Sequence, residues 1–253
     1  VALTDNIVAY WAMDDASGNA TDSVGSNTLT ENGTGGIAST TGKISNCRDF
    51  EAGDSDYFSI ADNADLSTGD IDFSGYCWLN FESQATFGKW TGATIFGKWD
   101  SAVTSSWEYV LYYNASNNRM EFYKSSDGSP PNIVGVTAST YGAVPIGTWI
   151  FVACGHNATS NDIWISVNGG TPNTLSTSTG VYNGTCAFRV GWVDSGTSEK
   201  YDGLIDEVAF FKRDIRSDLS SFYNGGSGLA YPFSGGGGAV IPVFMNQYRQ
   251  RVA

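Results

Sequence analysis

The chain has 253 residues, 41% of them apolar and 14% aromatic, a composition that folds around a sizeable core and argues against disorder. Its 26 acidic side chains against 13 Lys and Arg give a formal charge of −13. That balance speaks against nucleic acid, whose phosphates are bound by basic side chains that displace counterions. No apolar run reaches membrane-spanning length, and no signal-peptide pattern is present.

The start at Val1 rather than Met fits a processed product or part of a longer chain. From there, strand-like runs recur at 7–13, 57–60, 76–81, 94–99, 108–113, 119–124, 149–155, 162–168 and 187–192, separated by Gly, Ser, Asn and Asp clusters. Short strands with regular turn signals predict an all-β antiparallel sandwich or jelly roll. Asn168-Gly169 carries a tight hairpin signal, because both residues tolerate positive φ. Phe87-Gly88-Lys89-Trp90 returns as Phe96-Gly97-Lys98-Trp99, which two adjacent hairpin strands explain. A pair of Trp platforms for sugar rings is the alternative.

The run from Gly203 to Tyr223 opens as a strand and turns into a short helix over 216–223, with Ser217 as its cap. Strict alternation puts Ile205, Glu207, Ala209 and Phe211 on one face, and Asp206, Val208 and Phe210 on the other. Two acids inside so apolar a strand require either a route to water or a neutralising cation. Beyond Tyr223 the composition changes. Residues 1–224 form the sandwich domain, and 225–253 form an extended tail in which glycine-rich stretches flank the short apolar anchor Leu229–Phe233. The tip holds Ile241, Val243, Phe244 and Met245 with Tyr248, Arg249 and Arg251. Left exposed, such a patch is a liability, so the tail is expected to dock on a neighbouring subunit of a larger assembly.

Catalytic motifs are scarce. His156 is the single histidine, and no nucleophile elbow, P-loop or dinucleotide fingerprint is present. Asp206 and Glu207 are adjacent and so point to opposite faces of a regular strand, unlike a paired glycosidase dyad. The chain is therefore read as a non-enzyme. The four cysteines, Cys47, Cys77, Cys154 and Cys186, form no CxxC pair and are read as free, buried thiols. Acids cluster in the Asp14–Asp22 and Asp49–Asp56 stretches, where oxygen-rich loops either wrap Ca²⁺ or make ordinary solvated turns.

Taken in order, six segments resemble the laminin G-like jelly-roll domains of the concanavalin A-like lectin and glucanase superfamily. They are Ile7–Trp11 with Asp14, Ser17-Gly18 and Asp22-Ser23; Phe50 with Asp56–Ile60; Phe73–Leu79; Gly147–Trp149 through Ala153; Ile165–Gly169; and Gly203–Val208. The resemblance spans 7–223. It implies one structural Ca²⁺ between the N-terminal loop and the closing strand, held by Asp14 and Asp206 with Asn19 or Asp22 contributing. Glu51-Ala52-Gly53 departs from the Asp-Gly usual after this Phe.

The resemblance implies binding and structure rather than chemistry. The tail tip is similar to the ends of some tailed-phage structural proteins. The leading expectation is a virion surface protein, of the decoration or fibre type, part of an oligomer and docked through its tail on other subunits. The alternative is an extracellular carbohydrate-binding adhesin that presents Trp90, Trp99 and Trp107 to glycans.

Overall fold

A computed structural model describes residues 2–84, 92–103, 105–193 and 199–233. Among these, β1 (Ile7–Trp11), β2 (Thr30–Asn32), β3 (Ala38–Thr41), β4 (Asn46–Phe50) and β5 (Tyr57–Ile60) lead into the long β6 (Phe73–Phe81). Next come β7 (Gly92–Lys98), β8 (Tyr109–Asn114), β9 (Arg119–Ser125), β10 (Ile133–Thr137), β11 (Ile150–Asn157) and β12 (Asp162–Val167). The chain closes with β13 (Asn173–Ser176), β14 (Phe188–Val190), β15 (Gly203–Phe211) and the helix α1 (Leu219–Tyr223).

The strands form two antiparallel sheets. One has eight strands in the order β13-β12-β11-β6-β15-β4-β3, with β1 also paired to β15; the other has seven, in the order β10-β9-β8-β7-β14-β5-β2. The expected jelly-roll sandwich is thus the observed fold. Its interior is filled by the inward-facing residues of both sheets, among them Trp11, Phe50, Phe73, Leu79, Leu111, Phe122, Ile165 and Phe210. Each such side chain contributes roughly 1.5–3 kcal/mol by leaving water. Asn168 and Gly169 both take positive φ, 53° and 65°, as the β12–β13 hairpin requires. All four cysteines are free and buried.

The closing strand departs from strict alternation. Asp206 faces Trp78 of β6, but the next register pair is Ala209 with Tyr76, so a β-bulge lies between them. Glu207 sits in that bulge at φ +53°. The extra residue resets the parity. Ile205, Val208 and Phe210 therefore fill the sandwich interior, while Ala209 and Phe211 join the opposite face.

That opposite face, the outer side of the eight-stranded sheet, carries a second apolar cluster of Tyr76, Trp78, Phe151, Trp164 and Phe211 under Leu219 and Phe222 of α1. The helix begins later than expected. Residues 216–218 form a 3₁₀ turn, and neither turn nor helix has a side-chain cap, so Ser217 does not cap it. The segment 225–233, placed with the tail by composition, returns to the sandwich. Phe233 is buried edge-on against Tyr10 and Phe222, at 5.6 and 5.2 Å between ring centres. The backbone N–H of Tyr231 donates to the Tyr10 hydroxyl at 3.0 Å. The tip residues Ile241, Val243, Phe244, Met245, Tyr248, Arg249 and Arg251 lie outside the described residues.

Candidate functional site

Two surfaces carry the residues singled out by the sequence. The first is a seam where β15 changes partners. Its residues 203–205 pair with β4 and 208–211 with β1, so the end of β1 and the start of β4 converge opposite the bulge. Three non-glycine residues there adopt positive φ: Met13 (60°), Ser45 (55°) and Glu207 (53°). Conformations this sparsely populated persist only where surrounding packing imposes them.

Asp206 is fully buried in the seam. Its Oδ2 accepts the backbone N–H of Ile44 at 2.9 Å, whereas its buried Oδ1 has no hydrogen-bond partner. Burial, opposed by backbone N–H groups of the 43–44 turn and reinforced by the charge of Asp14, pushes its carboxyl up to about 7. Glu207 is also buried, with Oε2 unpartnered, and burial pushes it up to about 8. Among the described residues, neither acid makes an ion pair with Lys or Arg. Asp14 lies exposed at the same turn, its Oδ1 accepting the Asn46 N–H at 2.8 Å.

Asp14 and Asp206 thus stand at neighbouring positions of the 43–46 turn, near enough for the charge of Asp14 to act on Asp206. Asn19 and Asp22 are committed elsewhere. Asp22 accepts the backbone N–H groups of Tyr10, Val24 and Asn27 at 3.0, 2.9 and 2.9 Å and so organises the 22–27 turn. Asn19 Oδ1 accepts the Glu31 N–H at 3.1 Å.

A further acidic group joins part of the Asp49–Asp56 stretch to Glu82, which the sequence did not single out. Asp49, Glu51 and Glu82 offer carboxylate oxygens that lie within 4.8 Å of one another. All three carboxyls are raised, by burial first and then by mutual repulsion that includes Asp202. Asp206, Asp49, Glu82 and Asp14 add to the burial that pushes the Cys47 thiol up to about 12. These residues come from four chain segments, so no local motif announces them. His156 is buried as well, held between the Asp162 carbonyl at 3.0 Å and Asp70 Oδ1 at 3.2 Å, a structural position.

The second surface is the outer face of the seven-stranded sheet. A third apolar cluster lies there: Trp99, Val110 and Val193 packed by the half-buried Trp107, Tyr123 and Ile133. Trp107 stacks on Trp99, ring centres 4.9 Å apart and planes 10° from parallel. Trp99 is thus the buried backing of the pair, and Trp107 the more exposed ring. Farther along, Tyr112 meets Tyr123 edge-on at 6.2 Å. The Tyr123 hydroxyl donates to Glu121 Oε2 at 2.6 Å, and Asn114 and Asn117 donate to the same carboxylate at 3.1 and 2.7 Å. Aromatic rings in a row, edged by Asn and Glu, suit a ligand with apolar faces and hydroxyl edges. Trp90, expected as a third ring, lies outside the described residues.

A family model described as the concanavalin A-like lectin/glucanases superfamily matches residues 52–218. Among solved structures, domain 4 of AbnA, a GH43 extracellular arabinanase from Geobacillus stearothermophilus seen in complex with arabinotriose, is similar over 85% of this chain and 97% of that one, at 20% identity and TM-score 0.61. The binding domain of Paraclostridial Mosquitocidal Protein 1 is similar over 88% and 53%, at 12% identity and TM-score 0.67. The binding domain of Botulinum Neurotoxin DC, in complex with SialylT, is similar over 88% and 52%, at 12% identity and TM-score 0.62. The chain thus spans nearly all of the arabinanase domain but about half of the toxin binding domains. These likenesses establish shared fold. No curated protein matches the chain in sequence.

Proposed function

The chain belongs to the concanavalin A-like lectin/glucanase superfamily, and from that premise we propose that it is a non-catalytic carbohydrate-binding module. The observation that carries this reading is the Trp107–Trp99 stack on the outer face of the seven-stranded sheet. A ring already backed by a parallel ring loses little freedom on binding, and it offers a rigid apolar platform to the C–H face of a sugar. Asn114 and Asn117, held by the buried Glu121 carboxylate, stand along the same face as partners for hydroxyls. The seam acids Asp206 and Glu207, by contrast, are both buried, whereas hydrolysis calls for two carboxyls that reach opposite sides of a scissile bond; the reading is binding.

The similar structures support this reading over a virion-surface role, since their names describe binding domains and a domain seen with arabinotriose. A place outside the cell or on a particle surface, joined to other subunits through the 234–253 tail, is compatible with it. A glycan array that includes arabino-oligosaccharides and sialylated glycans tests the reading. Hits that weaken on Trp107→Ala support it, and hits indifferent to Trp99 and Trp107 contradict it.

The fold family also implies a structural Ca²⁺, and the seam suits one. A buried carboxylate oxygen without a donor, beside a second carboxylate and without a protein cation, is a set that a hard cation completes. Asp206 and Asp14 would hold it, and its contribution would be neutralisation of the seam. Loss of melting temperature on chelation, absent in Asp206→Asn, is the expected sign.

A further inference from the structure

The second Phe-Gly-Lys-Trp copy ends β7 at Lys98, a residue that neither the glycan surface nor the seam uses. Its ammonium group is fully buried and contacts four oxygens: Asp62 Oδ1 at 2.5 Å, Glu108 Oε1 at 2.6 Å, Ser67 Oγ at 2.8 Å and the Gly184 carbonyl at 3.4 Å. Glu108 is equally buried and directly opposite, its N–H donating to the Lys98 carbonyl at 2.9 Å. Asp62 follows β5 and lies 36 residues from Lys98 in sequence. The Ser67 hydroxyl donates to the same Asp62 oxygen at 2.8 Å. Glu108 Oε1 also accepts the Gly184 N–H at 2.9 Å, while its Oε2 is buried without a partner.

One buried cation thus serves two carboxyls, the buried Glu108 and Asp62, whose side chain is 30% exposed. Keeping the Lys98 ammonium away from water is costly, and an amide of the same atoms carries no formal charge. Condensation is unfavourable between dilute amine and acid, but groups held in contact react at a very high effective concentration. We propose that Lys98 and Asp62 join through an intramolecular amide bond between Nζ and Cγ, with Glu108 as the proton shuttle and one water released.

The step balances without a co-reactant. Lys98 gives one ammonium proton directly to the Asp62 oxygen it touches, leaving a free amine and a neutral carboxylic acid; burial of Asp62 favours that transfer, and the Lys98 and Ser67 hydrogen bonds, which hold its carboxyl below the ordinary range, oppose it. The Nζ lone pair attacks Cγ while the Ser67 hydroxyl polarises the carboxyl oxygen it already contacts. A second amine proton passes through Glu108 to the departing hydroxyl, the C–O bond breaks, and water leaves. Ammonium and carboxylate become amide and water; nothing is oxidised or reduced, and Glu108 ends as it began. Burial pushes the Glu108 carboxyl up to about 7, against the pull of Lys98, which suits a group that both takes and returns a proton near neutrality. The product ties the segment after β5 to the end of β7, across the rim of the sandwich.

The test is the intact mass of the denatured full chain together with its tryptic map. The cross-link lowers the mass by one water and joins peptide 49–89 to a peptide 90–119 left uncut at Lys98. A chain at its full sequence mass, yielding 90–98 and 99–119 as separate peptides, overturns the proposal, as does water loss without the joined peptides. Asp62→Asn is expected to give the same linked product with ammonia leaving in place of water, an outcome that a purely structural ion pair does not produce. Glu108→Gln is expected to keep the native circular dichroism spectrum and stay unlinked; linkage as complete as in the wild type removes Glu108 from the step. The wild-type mass decides the matter even where a variant does not fold.

Discussion

Asp206 and Glu108 are both fully buried carboxyls, yet their surroundings differ in one respect. Glu108 shares the Lys98 nitrogen with Asp62, so the rim of the sandwich supplies its own partner for these acids, an ammonium before the proposed linkage and an amide after it. Asp206 and Glu207 sit at a bulge with an exposed third acid, Asp14, and with no ion pair among the described residues. In the first region the fold neutralises its acids internally; in the second it leaves them to a proton or an outside cation. Composition cannot reveal this difference, because both regions draw on the same surplus of acids.

Removing the internal cation should have the largest effect. Lys98→Met strands Glu108 in the interior, removes the proposed link to Asp62 as well, and is expected to cost about 3–5 kcal/mol in urea denaturation. Asp206→Asn in metal-free buffer removes an uncompensated charge and should be neutral or stabilising. If the two variants lose similar stability, the contrast between the regions fails.

Acidity gives the next effect. Asp206 and Glu207 have folded-state values of about 7 and about 8, above those of the unfolded chain. Their contribution is therefore fully present below about pH 4 and is lost as pH rises through the folded values. The metal-free protein should be less stable at about pH 8 than at about pH 5, by an amount on the order of a few kcal/mol. Asp206→Asn should flatten that slope, and an unchanged slope would show that the seam is not its source.

A smaller gain should follow from restoring the missing charge. Ca²⁺ at about a hundredfold excess over its dissociation constant should add about 2.7 kcal/mol at the alkaline end, and less where the seam is protonated. Equal stabilisation of wild type and of Asp14→Ala with Asp206→Asn would place the ion elsewhere.

Much of this architecture was legible in the chain. The strands with apolar alternation stand close to where the pattern puts them, and the Asn168-Gly169 turn has the expected backbone. Of the five unpredicted strands, β2, β3 and β13 are short, polar and poorly buried, so they carry no hydrophobic period to read; β4 is interrupted by Arg48 and Asp49, and β10 by Gly135. The faces of β15 were misassigned because the bulge rests on one residue, Glu207, whose type gives no sign of positive φ. Asp14 and Asp206 were found through resemblance to a family, since 192 residues separate them and no spacing rule links them. Lys98, Asp62 and Glu108 escaped for the same reason; the repeated tetrapeptide drew the eye to Trp99 rather than to the lysine beside it.

The smallest predicted energy belongs to the surface that matters most for function. The most direct test is a calorimetric titration of the full chain and of Trp107→Ala with the strongest glycan found on an array. Wild-type binding that weakens about tenfold in the variant, with the melting temperature preserved, is the predicted result, a loss of roughly 1.4 kcal/mol typical of one aromatic platform. Binding of equal strength in both proteins, or no glycan bound by the folded wild type, would contradict the assignment of this face as a carbohydrate site.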